Sequence, residues 1–162
     1  YATVERLDPY VPELPFVLVH TGVTHSSDAV HKPLRERWLE GDPEVREAYE
    51  AIGGLAREGK KALLAADWPR LGRLMNENHA IQRDLGGSGA ANEELIAIAL
   101  AHGALGAKLA GAGGGGTIIA LNPHPEEMIA AMRAAGHELI FRPLPSEGVC
   151  LDAEAAPGTH AA

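Results

Sequence analysis

Five glycines stand among the six residues 111–116: Gly111, Gly113, Gly114, Gly115 and Gly116, broken only by Ala112. The run lies between two apolar segments, ALGAKLA and TIIAL. Glycine loses more backbone freedom on folding than any other residue, so such a run needs a reason beyond connection. Two physical reasons exist. One is a backbone with positive φ, which a Cβ penalises by about 1–2 kcal/mol per residue; the other is a backbone that lies flush against a second surface. A flexible linker would sit among Ser, Thr, Asp or Asn, and the apolar flanks argue against it. A P-loop requires Gly-x4-Gly-Lys-Ser/Thr before a helix, but here Thr117 comes directly after Gly116 and no Lys is present. Gly111-x-Gly113-x-x-Gly116 matches the dinucleotide fingerprint in form, yet that fingerprint opens a helix. Thr117-Ile118-Ile119-Ala120-Leu121 instead reads as a strand closed by Pro123. The loop feeds a strand.

The 162-residue length suits one domain, enough to bury about two-thirds of its unfolded surface. Hydrophobic residues make up 46% and aromatics only 4%, an Ala/Leu/Ile-rich core. A net charge of −8 argues against non-specific nucleic-acid binding. No apolar run approaches the ~20 residues of a membrane span. The single Cys150 forms no internal disulfide, which fits a reducing compartment. The chain opens on Tyr1 without a signal-like segment, and a cytoplasmic location is expected.

Along the chain, Ala2–Leu7 reads as a short strand. Pro9, Pro12 and Pro15 then break any regular element, so residues 1–15 are an irregular lead-in or edge strand. Phe16–His20 is an apolar run of strand length ending at Thr21-Gly22. A short helix is expected over Pro33–Glu40. Asp42-Pro43-Glu44 opens a longer one, with a cap acceptor, Pro at the first position and an acid in the first turn. Asp67-Trp68-Pro69 restarts the pattern, and Leu71, Leu74, Met75, Ile81 and Leu85 form a stripe that stops at Gly86-Gly87. Asn92 reads as the cap of a helix ending at Gly103. Pro125 and Glu126-Glu127 open a last helix that Gly136 stops. His137–Leu144 and Gly148–Leu151 read as closing strands joined at Pro145-Ser146, and residues 153–162 as a disordered tail. The order predicts an α+β, ferredoxin-like domain over 1–152, a mainly antiparallel sheet with helices packed on one face.

On the 71–85 helix, Asn78 and Gln82 fall on or near the stripe that should pack, with His79 at its edge. They form either a satisfied buried polar network or the wall of a polar cleft suited to a ligand's hydroxyls. His20, His25 and His31 have no metal-site spacing, and no metal site is expected. Lys108, just before the glycine loop, is placed to meet an anion or to be a solvated or ion-paired lysine. Glu44, Glu47 and Glu50, with Arg46 and Arg57, read as an exposed helix face. No Ser–His–Asp arrangement stands out, and Cys150 reads as a structural thiol.

Leu109-Ala110-Gly111-Ala112-Gly113-Gly114-Gly115-Gly116, preceded by Gly103–Lys108, resembles the C-terminal glycine motif of the GHMP kinases. That superfamily includes galactokinase, homoserine, mevalonate, phosphomevalonate and heptose-phosphate kinases. Leu74-Met75-Asn76-Glu77-Asn78-His79, followed by Leu85-Gly86 and Ser88, is similar to the corresponding helix of mevalonate-type members. Val19–Val23 resembles the strand and turn that precede it, so the likeness covers roughly residues 16–121. The family often has Thr or Ser where this chain has Ala110, which removes a hydroxyl there and leaves the backbone role of the loop.

The resemblance implies transfer of the γ-phosphoryl group of ATP, with Mg²⁺, to a hydroxyl or phosphate of a sugar, sugar phosphate or mevalonate-like metabolite. Family members carry an N-terminal domain with a Pro-x3-Gly-Leu-Gly-Ser-Ser-Ala loop, the catalytic Asp and the Mg²⁺ ligands, and no such loop occurs here. The resemblance thus implies the C-terminal half alone, with no catalytic residue of its own. Its partners would be the small-molecule substrate and the N-terminal kinase domain, with homodimerisation through the exposed docking face as a further option and neither nucleic acid nor membrane involved. Residues 111–116 would brace the phosphate-binding loop of the other half. Asn78, His79, Thr21 and Ser26 would face the acceptor. A stand-alone ferredoxin-like binding or regulatory module is the alternative.

Overall fold

Among the described residues, the apolar run Phe16–His20 forms β1, an inner strand of a four-stranded antiparallel sheet. The computed structural model of the chain describes residues 7, 10–11, 14–24 and 27–144. Four helices come after β1: α1 (Ser27–Glu40), α2 (Pro43–Leu64), α3 (Trp68–Asp84) and α4 (Ala90–Ala101). Then come β2 (Gly106–Ala110), β3 (Thr117–Leu121), α5 (Glu126–Ala134) and β4 (Ile140–Phe141). The sheet order β2-β3-β1-β4 is that of a ferredoxin-like β-α-β-β-α-β unit. Four helices stand here in place of its first crossover. The α+β class agrees with the expectation from the order of elements.

The helix boundaries obey local chemistry. Asp42 caps α2 by accepting from the Glu44 N–H at 2.9 Å, with Pro43 at the first helical position. Asp67 caps α3 through the Arg70 N–H at 3.1 Å. Gly136, at φ +90°, ends α5. Three expectations change. α1 begins at Ser27, six residues before the expected start, and carries Pro33 inside it. Pro33 is exposed, so water can satisfy the carbonyl that its ring leaves free. The last strand shrinks from His137–Leu144 to Ile140–Phe141. Gly106–Ala110, read only as an apolar flank, is a strand, which turns the glycine run into the loop of a β2–β3 hairpin. Of the expected strand at 2–7 only Leu7 is described, and it is not in a strand; the expected strand at 148–151, the breaks at Pro9 and Pro12, the turn at 145–146, Cys150 and the 153–162 tail lie outside the described residues.

Register divides the sheet into two faces. Val17, Val19, Ala107, Ile118 and Ala120 point to the first face and are completely buried against Leu95, Ile96 and Ala99 of α4 and Met128 and Met132 of α5. Full burial of such side chains contributes about 1.5–3 kcal/mol each for the larger ones. The second face is not left bare as a one-sided packing predicts. Ala62 of α2 and Leu71 and Met75 of α3 cluster with Leu121, Phe16 and Ile119 there.

α3 lies against the outer edge of β2 at very short range. An ideal Cβ on Gly72 would stand 2.4 Å from the Leu105 carbonyl oxygen, and one on Gly106 would stand 2.2 Å from that of Gly72. With the backbones in contact, two α3 side chains reach the unpaired groups of the strand. Asn76 Oδ1 accepts from the Ala107 N–H at 2.9 Å, and His79 Nδ1 accepts from the Leu109 N–H at 3.4 Å. Residues three apart on a helix thereby meet N–H groups two apart on a strand, and the sheet edge is closed against foreign strands. Gly72→Ala should force the helix off the strand and destabilise the domain by about 1–3 kcal/mol. Urea denaturation checks it; an unchanged midpoint would refute the close approach.

Candidate functional site

The glycine loop is built from backbone, and its conformation accounts for its composition. Gly111, Gly113, Gly114, Gly115 and Gly116 all have positive φ, at 82°, 86°, 76°, 155° and 73°. At Gly113 a second restriction applies: an ideal Cβ would stand 1.7 Å from the Gly87 carbonyl oxygen. The loop is stitched to the turn between α3 and α4, where the Gly114 N–H donates to Gly87 O at 2.9 Å. Opposite, the Gly116 N–H donates to Val23 O at 3.0 Å, and the Thr21 N–H donates to Gly116 O at 2.7 Å. Among the described residues, the N–H groups of Gly111, Ala112 and Gly115 have no hydrogen-bond partner. Successive N–H groups in backbone that alternates between right- and left-handed residues form the kind of concavity that receives anions.

The turn that carries Gly87 is itself fixed by side chains. Glu93 Oε1 accepts from Ser88 Oγ at 2.5 Å and meets His79 Nε2 at 3.0 Å. Because His79 Nδ1 accepts from Leu109 N–H, Nε2 carries the proton and donates to Glu93. Burial pushes the imidazole below its ordinary pKa, outweighing the upward pull of Glu93. His79 is therefore a neutral clamp joining α3, β2 and α4.

A second feature lies on the other sheet face. Register aligns Lys108, Ile119, Leu18 and Phe141 in one row across all four strands, with Ala110, Thr117 and His20 in the next row toward the glycine loop. Lys108 and Asn78 line a cavity of about 210 Å³ whose other walls include Leu55, Leu71, Leu74 and Met75. Burial lowers the Lys108 pKa, and its Nζ donates to Leu109 O at 2.6 Å. No carboxylate among the described residues pairs with it. The cavity thus has apolar walls, one amide and one uncompensated ammonium.

The residues expected to face an acceptor separate in space. Residues 111–116 form the loop, and Thr21 abuts it, buried, with Oγ1 accepting from the Val23 N–H at 3.1 Å. Asn78 lines the Lys108 cavity. His79 does not share that cavity: neighbouring positions on a helix project about 100° apart, and His79 is turned into the β2–α4 seam, only 5% exposed. Ser26 and His25 lie outside the described residues. No group of three His, Cys, Asp or Glu comes together to hold a metal ion among the described residues. No described helix is long and apolar enough to cross a membrane.

Asn92 carries a different role from the one its position implies. Gly89, not Asn92, caps α4, its carbonyl accepting from the Asn92 and Glu93 N–H groups. Asn92 is completely buried in the first turn and donates from Nδ2 to Gly115 O at 3.0 Å. Glu93 and Ser88 likewise escape sequence pattern, because their partners are 14 and 5 residues away.

Residues 60–138 match the family GHMP kinases C terminal, and the chain belongs to the GHMP kinases, carrying their C-terminal domain. Mevalonate kinase of Pyrococcus furiosus is 34% identical over 146 residues, 86% of this chain and 44% of that protein. Glucuronokinase 1 of Arabidopsis thaliana is 38% identical over 103 residues, 62% of this chain and 28% of that protein. The crystal structure of L. major mevalonate kinase in complex with R-mevalonate aligns with a TM-score of 0.72 at 28% identity, over 78% of this chain and 40% of that one. The chain spans less than half the length of these relatives.

Proposed function

We propose that this chain is the C-terminal half of an ATP-dependent kinase that phosphorylates a hydroxyl, or a phosphate, of a sugar, sugar phosphate or mevalonate-like metabolite. The observation that carries the reading is the glycine loop, whose unpaired N–H groups and bare backbone suit contact with a phosphate-bearing surface. Phosphoryl transfer depends chiefly on positioning and charge stabilisation, which backbone donors supply without a titratable group. The loop braces the phosphate-binding loop of the N-terminal domain. The carboxylates that hold Mg²⁺ are assigned to that domain, as the family resemblance implies. Exposed Leu139 and Phe141 at the β4 edge supply apolar surface for its docking.

The Lys108–Asn78 cavity is the acceptor's wall on this side. Apolar residues of α2 and α3 hold the carbon skeleton, the Asn78 amide meets a hydroxyl, and the Lys108 ammonium meets an anionic end. In the intact enzyme, Asn78→Ala should raise the KM of the acceptor by about tenfold, the value of one hydrogen bond, and leave the KM of ATP within twofold. Lys108→Met should do so more strongly for a carboxylate- or phosphate-bearing acceptor than for a neutral one. Steady-state kinetics against sugars, sugar phosphates and mevalonate, with ADP release as readout, decides the matter. Equal effects on both KM values remove this wall, and no acceptor-dependent ADP release across the panel overturns the kinase reading.

A further inference from the structure

The Gly115–Gly116 peptide of the glycine loop is gripped at both ends. Its carbonyl accepts from Asn92 Nδ2 at 3.0 Å, and its N–H donates to Val23 O at 3.0 Å. A peptide between two glycines has few steric restraints on rotating about its own axis, so these two bonds set which way it faces. The Val23 end belongs to the segment after β1. The Asn92 end belongs to the first turn of α4, whose N–H groups are tied to Gly89 O. That turn is held in addition by Glu93 on Ser88 and His79. Asn92 is therefore the rigid side of the grip.

Its side chain is fully buried, yet only half used: Oδ1 has no hydrogen-bond partner among the described residues. Buried polar atoms are normally paired. An amide retained in an apolar interior for a single donated bond points to a requirement for that bond. A hydrophobic residue of the same size would fill the space equally well.

We infer that Asn92 is the positioning residue of the glycine loop: its amide fixes the direction of the Gly115–Gly116 peptide and so the set of backbone groups that the loop presents. The loop's contact with phosphates rests on the function proposed above; the orientation of the peptide does not. Two near-isosteric substitutions pull it in different directions. Asn92→Leu leaves Gly115 O buried without a donor and frees the peptide to rotate. Asn92→Asp offers an acceptor and no donor, so the peptide turns over, the Gly116 N–H leaves Val23 O, and it donates to the carboxylate through a charge-assisted bond.

Amide hydrogen exchange and ¹H–¹⁵N spectra of the full chain test this. In the wild type the Gly116 N–H should be protected. In Asn92→Leu its exchange should rise at least tenfold while Val19 and Ile118 in the core stay protected. In Asn92→Asp the Gly116 proton should instead move downfield and remain protected. Unchanged Gly116 exchange and shift in both variants, with the core intact, would overturn the assignment. Should neither variant fold, the wild type still decides: slow exchange of the Asn92 Nδ2 protons supports the grip, and rapid exchange refutes it. Kinetics of the intact enzyme then separate the two ideas. A rise in the KM of ATP with the acceptor's KM unchanged joins the positioning role to phosphate contact. Altered Gly116 exchange with both KM values and kcat unchanged keeps the positioning role and removes the phosphate reading.

Discussion

Gly113→Val should reduce the kcat/KM of the intact enzyme for ATP by about a hundredfold, the scale on which a displacement of about 1 Å acts in an active site. Two independent obstacles meet at this position. The backbone sits at φ +86°, and the new Cβ would lie 1.7 Å from the carbonyl oxygen of Gly87. The neighbouring Gly114 N–H donates to the same oxygen at 2.9 Å, so the α3–α4 turn cannot retreat without breaking that bond. The loop must lift instead, carrying its free N–H groups with it. Gly111→Val is the matched control: at φ +82° it carries a similar backbone penalty, but nothing lies within 4 Å of the added Cβ. It should lose far less activity. Initial-rate kinetics on both variants, with circular dichroism to confirm the fold, make the comparison. A Gly113→Val enzyme within threefold of the parent would end the proposed role of the loop.

The range of each interaction decided whether the sequence disclosed it. Asp42-Pro43 and Asp67 announced helix starts because a cap acts on N–H groups two or three residues away. The glycine run announced positive φ because that preference is local to each residue. β2 stayed hidden since Gly-Ala-Lys-Leu-Ala has little strand propensity of its own. It is a strand through its pairing with β3 and the grip of α3 on its edge. Asn92 shows the same limit at a single residue. An Asn near a helix start reads as a cap, and only the return of the chain 23 residues later brings Gly115 to its amide. Asn78 and His79 adjoin in sequence, whereas the helix sends one to the Lys108 cavity and the other to a buried seam.

His79→Ala should destabilise the domain by about 2–4 kcal/mol, combining the cavity left by a buried ring with an orphaned edge donor. The Leu109 N–H loses its acceptor at the sheet edge, and Glu93 loses one of its two donors. The same residue should impose a pH dependence of definite sign. Burial, helped by the positive charges of Arg83 and Lys108, lowers the pKa of His79 in the folded state, against the opposing pull of Glu93. The unfolded chain titrates near the ordinary histidine value of about 6.5. Above that value both states are neutral and the contribution to stability is complete. As pH falls below it, the unfolded state binds a proton that the folded state refuses, so stability declines until the folded pKa is passed. Protonation in place would also set an N–H where Nδ1 now accepts from Leu109. His79→Gln retains a donor and an acceptor without titrating, so its unfolding free energy should fall less steeply below about pH 6.5. Urea unfolding of the two proteins across pH 5–8 isolates this term, since the other histidines contribute equally to both. Parallel pH profiles would show that His79 is not held neutral between α3, β2 and α4.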